Sequence, residues 1–178
     1  DFEMISTITY FPFLVVVSAD NKIANFPALI AQAKANPGKI AYGTAGIGST
    51  HHLAGELLAS MAKVDMLHVP YRGTAGYTQD LLAGELMVGF LPVHVAQGFV
   101  KSGKLNALAV GSTKRHPVAA DVPTFLELGY KDIDVDLWYA FFVPTKTPAT
   151  TVSKLHADLS AIIVQPAVKE ILGKAGLD

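Results

Sequence analysis

The sequence predicts an α/β fold with a mostly parallel sheet. Two observations carry this. Apolar, β-branched-rich segments alternate with helical patterns through most of the chain, and the turns that follow two of these segments are rich in glycine. Strands that alternate with helices must cross over to pair, and that favours parallel neighbours.

The elements follow in order. Residues 8–17 are rich in β-branched and aromatic side chains and end at the turn-prone Ala19-Asp20-Asn21, so they read as one buried strand. Asn25 can cap a helix that starts near Pro27, and Asn36-Pro37-Gly38 stops it. Residues 40–44 form the next strand. A glycine loop over 43–50 leads into a helix over 51–62, with Leu53, Leu57, Leu58 and Met61 expected on its apolar face. The same order recurs as a strand over 65–70, the turn Tyr71-Arg72-Gly73-Thr74-Ala75-Gly76 and a short helix ending at Gly84. It recurs again as a strand over 86–92 and a helix over 94–101. Further strands are expected over 105–111 and 135–143. After Pro148 the pattern turns helical, over 151–164 and again beyond Pro166. The recurrence is architectural and not a solenoid repeat.

Composition excludes several function classes. The chain has 178 residues, about half of them hydrophobic, with 14 basic and 15 acidic residues giving a net charge of -1. That balance offers no broad field for nucleic acid or anionic lipid. No cysteine is present, so disulfides, thiolate metal sites and a cysteine nucleophile are absent. The longest apolar run, 11–17, is broken by Pro12 and falls well short of the roughly 20 residues that span a bilayer, so no direct membrane insertion is expected. The start, Asp1-Phe2-Glu3-Met4, lacks the basic-then-apolar order of an export signal and reads as trimmed or internal to a longer protein.

The glycine loop over 43–50 is the most informative feature. Glycines let backbone amides turn inward, and the helix start that follows adds free N–H groups, so the loop can hold an anion. Its spacing approaches a phosphate-binding loop: Gly43 and Gly48 are correctly separated and Thr50 holds the hydroxyl position, but Ser49 stands where the lysine belongs. A dinucleotide fingerprint fails too, because His51 follows Gly46 and Gly48 where a third glycine is needed. The plainer alternative is a tight turn with no ligand. The second loop places Tyr71 and Arg72 ahead of Gly73, Thr74 and Ala75, again at a strand's carboxyl end, where open α/β sheets bind ligands. Arg72 can fork onto a carboxylate, or simply face solvent.

The histidines are weaker signals. Adjacent residues on a helix point about 100° apart, so His51 and His52 make a poor metal pair and read better as capping or packing groups. Ser49 with His51 lacks a nucleophile-elbow context for hydrolysis. His68, within an apolar strand, reads as a hydrogen-bonded buried residue, and Trp138 with Tyr139 as core or cleft-wall aromatics able to stack on a ligand. Neither a cofactor nor a metal is expected.

A resemblance to a known family rests on ordered motifs across nearly the whole chain. They are Asn36-Pro37-Gly38-Lys39, Tyr42-Gly43-Thr44, Gly46-Ile47-Gly48-Ser49-Thr50-His51-His52-Leu53-Ala54-Gly55-Glu56, His68-Val69-Pro70-Tyr71-Arg72-Gly73, Gly103-Lys104-Leu105 and Asp121-Val122-Pro123-Thr124. Together they resemble the periplasmic solute-binding receptors of tripartite tricarboxylate transporters, the Bug or TctC type. The resemblance implies a two-lobed periplasmic-binding-protein-like fold that holds a small organic acid and hands it to membrane permease subunits without catalysis or metal. It implies ligand contacts at Thr44, Ala45, Gly46, Gly48, Ser49, Thr50, Tyr71, Arg72, Gly73, Thr74 and Ala75, to which the residues themselves add the neighbouring His51 and Trp138 as a cleft-wall aromatic. It implies an exported protein whose signal sequence is absent from this chain.

Two departures shape the expectation. The family usually begins earlier, with further βα units of the first lobe, so the first lobe is expected to be incomplete. Residues 1–22 would then be a first-lobe remnant with the hinge strand, 23–141 the second lobe, and 142–178 the return to the first. Such a chain is expected to expose apolar surface and to self-associate. At Phe90-Leu91-Pro92 many relatives carry phenylalanine, an acid and an amide, so Leu91 is expected to remove a charge from the cleft wall. Against the receptor stand two other classes: a nucleotide-using or hydrolytic α/β enzyme built on the 43–50 loop, and an effector-sensing domain of a regulator.

Overall fold

A computed structural model describes residues 1–131, 133 and 135–177. The expected single strand over 8–17 is two strands, β1 (Phe2–Phe11) and β2 (Phe13–Ser18), which pair in different sheets. Pro12 lies between them. It has no N–H to donate to a ladder, so one pairing ends there and another begins. The chain divides into two units at this point and again near residue 137: Asp1–Phe11 with Leu137–Asp178, and Pro12–Asp136.

The larger unit, Pro12–Asp136, holds a five-stranded sheet. Its remaining strands are β3 (Ala41–Thr44), β4 (Leu67–Pro70), β5 (Val88–Pro92) and β6 (Leu105–Val110), in the order β4-β3-β5-β2-β6. Helices α1 (Phe26–Ala35), α2 (Thr50–Ala62), α3 (Thr74–Ala83) and α4 (Val93–Lys101) alternate with them. β3 pairs parallel with β4 and β5, while β2 pairs antiparallel with β5 and β6. Four strands therefore run one way, as a mostly parallel sheet requires. β2, inserted between β5 and β6, runs against them and makes the sheet mixed. Every residue of β2 and of β5 is buried; because successive side chains point to opposite faces, both faces of the sheet are covered there.

Local rules set the helix ends. Asn25 accepts a hydrogen bond from Ala28 N at 2.9 Å and Pro27 sits in the first turn of α1, as the sequence reading has it. Gly84 ends α3 in the left-handed conformation. The buried face of α2 differs from expectation: it is made of His51, Ala54, Gly55, Leu58 and Ala62, while Leu53 is exposed. Small residues win this face because the helix packs close to the sheet. A Cβ on Gly55 would come within 2.4 Å of the Tyr42 ring.

In the smaller unit β1 pairs antiparallel with β7 (Leu137–Pro144), and helices α5 (Ala149–Ile163) and α6 (Pro166–Ala175) follow. Ile5, Thr9, Phe11 and Leu137 are buried here, but neither α5 nor α6 contains a buried residue. Phe2, Met4, Phe141, Phe142 and Ile171 are exposed. These side chains leave apolar surface open to solvent on the smaller unit.

Candidate functional site

The carboxyl ends of β3, β4 and β5 point the same way, since the three strands are parallel. β3 leads through α2 to β4 on one side, and β5 leads through α4 past β2 to β6 on the other. The crevice at such a reversal is where open α/β sheets bind ligands. The glycine loop follows β3 and the Tyr71–Gly73 loop follows the neighbouring β4.

The two loops are tied together. Tyr71 N donates to Thr44 O at 3.0 Å and Gly73 N to Ala45 O at 3.2 Å. Gly46, Gly48 and Gly73 all have φ between +78° and +137°, a region that favours glycine. Ser49 caps α2: its Oγ accepts from His52 N at 3.3 Å and donates to Gly46 O at 2.7 Å. Gly73 begins α3 with no side-chain cap. The first N–H groups of a helix have no partner inside it, so the amides of Thr50, His51, Thr74, Ala75 and Gly76 are available donors beside two positive helix ends.

The side chains divide into those free to meet a ligand and those holding the frame. Thr44 is fully buried, its Oγ1 2.7 Å from His68 Nε2. Tyr71 donates its phenol to Asp80 Oδ2 at 2.5 Å; burial first, and then this bond, push it up to about 12. Both side chains are engaged in hydrogen bonds within the larger unit. Arg72 and Ala75 are exposed at the loop. His51 is buried against Tyr77, ring centroids 6.5 Å apart, and burial lowers it to about 4, so it stays neutral. Its Nε2 has no hydrogen-bond partner among the described residues. Trp138 belongs to the smaller unit, where it pairs with Tyr10 across the β1–β7 ladder and its ring lies 6.2 Å from Phe142. The structure thus brings together the residues of the two loops, while Trp138 is described with the other unit.

One expectation is corrected. Leu91 is fully buried opposite Leu14 in the β2–β5 ladder, so it packs the core and does not line an open wall. Sequence reasoning took His52 for a capping or packing group and gave Glu56 and Tyr42 no role beyond their place in the motifs. Tyr42 donates to Glu56 Oε1 at 2.5 Å, and His52 Nδ1 accepts from Gly48 N at 3.2 Å. A tyrosine on β3 and a glutamate fourteen residues later carry no spacing signal of their own. Among the described residues no three His, Asp or Glu side chains gather to hold a metal, and no helix is long and apolar enough to cross a membrane.

Comparison with known proteins adds the family. The model of the tripartite tricarboxylate transporter family receptor, TctC, matches residues 1–178. The chain is 35% identical over 178 residues to a UPF0065 protein from Pseudomonas sp. strain P51, covering 99% of this chain and 53% of that protein. It is 30% identical over 176 residues to the protein BugT of Bordetella pertussis, covering 99% of this chain and 54% of that protein. Among solved structures, the periplasmic binding protein BugD matches with a TM-score of 0.93 at 33% identity, over 99% of this chain and 59% of that one. An R. palustris protein with adipate matches at 0.93 and 28% identity, over 100% of this chain and 60% of that one. MatC from Rhodopseudomonas palustris, with bound malate, matches at 0.91 and 27%, over 99% and 60%. The chain spans about half the length of the curated relatives it matches. With a family match over the whole chain and a two-lobed binding-protein fold among its structural neighbours, this chain belongs to the tripartite tricarboxylate transporter receptor family.

Proposed function

We propose that the larger unit carries one half of a carboxylate site, used by a periplasmic receptor that captures a small organic acid for a tripartite tricarboxylate-type transporter. The observation that carries this reading is the pair of helix N-termini, α2 and α3, on loops joined by the Gly73 N to Ala45 O bond. Amides and helix dipoles at two neighbouring helix starts favour a negative charge, and each such contact is worth about 0.3–1 kcal/mol at a surface. Thr50, Thr74 and the exposed Arg72 add donors, while Thr44, Ser49 and Tyr71 hold the loops in shape. The adipate and malate seen in related structures make short dicarboxylates the first ligands to try.

In this reading the chain binds without turnover, is exported to the periplasm and delivers its solute to membrane permease subunits. The lobe assignment belongs here as well, with the expected bounds of 1–22, 23–141 and 142–178 moved to those of the two units: Pro12–Asp136, which includes β2, as the ligand lobe, and Asp1–Phe11 with Leu137–Asp178 as parts of the first. So does self-association through the exposed apolar side chains of the smaller unit.

The test is a thermal-shift series on the 178-residue chain with adipate, malate, sulfate and magnesium nucleotides. At about a hundred times its dissociation constant a ligand stabilises the native state by roughly 2.7 kcal/mol. A shift with a dicarboxylate is expected, and it should be lost in Gly46→Val, because φ at Gly46 is +137° and a Cβ there would meet Tyr71 O at 3.4 Å. A shift with nucleotides alone would make the loop an active site of another kind.

A further inference from the structure

A cluster of titratable side chains holds the glycine loop from within the larger unit. The imidazoles of His52 and His68 are stacked, ring centroids 4.0 Å apart at 27°. Each ring grips a different part of the loop. His52 Nδ1 accepts from Gly48 N at 3.2 Å, and His68 Nε2 lies 2.7 Å from Thr44 Oγ1, which in turn lies 3.3 Å from both Gly46 N and Gly46 O. Gly48 is exposed, and a Cβ built there would meet nothing within 4 Å. No side chain packs where a Cβ on Gly48 would point, and the Gly48 amide is held by its hydrogen bond to His52.

We propose that the His52–His68 pair is a positioning device for the glycine loop that works only while the acceptor Nδ1 of His52 is unprotonated, so that acid capture at this loop weakens as pH falls. The proposal rests on the carboxylate reading for its second half and on geometry alone for its first. A ring nitrogen that accepts a hydrogen bond carries no proton, so the proton of His52 sits on Nε2, the atom that faces Glu56 Oε1 at 3.9 Å. Protonation of Nδ1 would set one N–H against the Gly48 N–H, and the bond is lost.

The groups facing His52 decide what else the proton does. Glu56 on its own helix offsets the added charge, and the same Glu56 oxygen accepts from Tyr42 on β3. His68 on β4 opposes a second charge in the stack. Burial holds His68 below the ordinary imidazole range, and His52 lowers it further, with Glu56 acting in the other direction. With Glu56 balancing a charge on His52, the local effect of a proton at Nδ1 is the release of Gly48.

Amide hydrogen exchange on the 15N-labelled 178-residue chain tests this between about pH 8 and pH 5, the window in which imidazoles titrate. Protection is read against the intrinsic exchange rate at each pH. Gly48 protection should fall by about three- to tenfold as His52 protonates, the worth of one neutral hydrogen bond, and the dissociation constant for adipate should rise in step. His52→Asn puts an oxygen near the position of Nδ1 that accepts but does not titrate, and it should flatten the Gly48 curve. His52→Ala should show low protection at both ends. Gly48 protection that is independent of pH in the unmodified chain, or a pH dependence that survives His52→Asn, overturns the proposal. If neither adipate nor malate binds at any pH while Gly48 still follows His52, the positioning device stands and the carboxylate reading falls.

Discussion

His51 stands in the first turn of α2 with a buried ring and an unpartnered Nε2 among the described residues. Burial lowers it from 6.5 to about 4. The unfolded chain therefore takes up a proton at this residue that the folded chain refuses. Its contribution to stability is complete above pH 6.5 and is lost progressively as pH falls toward 4, to the extent of about 3 kcal/mol. His51→Phe keeps a ring against Tyr77 and removes the proton, so urea unfolding at neutral and acid pH should show a smaller acid loss in the variant. An equal loss in both would mean that His51 is not the group responsible. Gly55 gives a second prediction at this scale. Its would-be Cβ lies 2.4 Å from the fully buried Tyr42 ring, which cannot swing away, so Gly55→Ala should destabilise by about 1–3 kcal/mol in denaturant melts. The sequence offered His51 as a packing residue, but how deeply it is buried and how close Gly55 comes to Tyr42 depend on what β3 and α3 bring against them.

At the scale of elements the sequence was most informative where structure is local. Asn25, Pro27 and Asn36 bound α1 as expected, because capping and proline sterics act within a few residues. Asn25→Ala should lower stability by about 1 kcal/mol, and Asn25→Asp should restore most of it, in equilibrium unfolding. The glycine turns were also legible, since Gly46, Gly48 and Gly73 occupy backbone conformations that other residues resist. The apolar face of α2 was misread. Counting large side chains favours Leu53, but close packing on Tyr42 selects Ala54 and Gly55 instead, and only the neighbouring strand reveals how close that approach is. β1 and β2 were read as one strand because composition does not change across Pro12; the change lies in the pairing partner.

Across the whole molecule the two units differ in how much they bury. β2 and β5 are buried throughout, whereas α5 and α6 bury nothing, and Phe2 and Ile171 are 71% and 68% exposed. Native-state hydrogen exchange should therefore be fastest in α5 and α6 and slowest in β2 and β5, because local opening follows buried contact. Exposed aromatic and branched side chains of this kind also favour association. Sedimentation velocity should show concentration-dependent self-association of the chain, reduced by Phe142→Ser with Ile171→Ser; a monomer at all concentrations would mean that these side chains tolerate water.

Short-range rules determined much of this protein from its sequence: the order of strands and helices beyond β1 and β2, the cap of α1, the left-handed glycines, and the ordered motifs that identify the family. These are set by sterics and hydrogen bonds among residues close in the chain. Tertiary structure alone decided the rest. It ran β2 against its neighbours, buried Leu91, turned Tyr71 toward Asp80 and stacked His68 on His52. Each of these depends on strand order and register, which arise from pairing between distant segments and leave no periodic trace in either segment by itself.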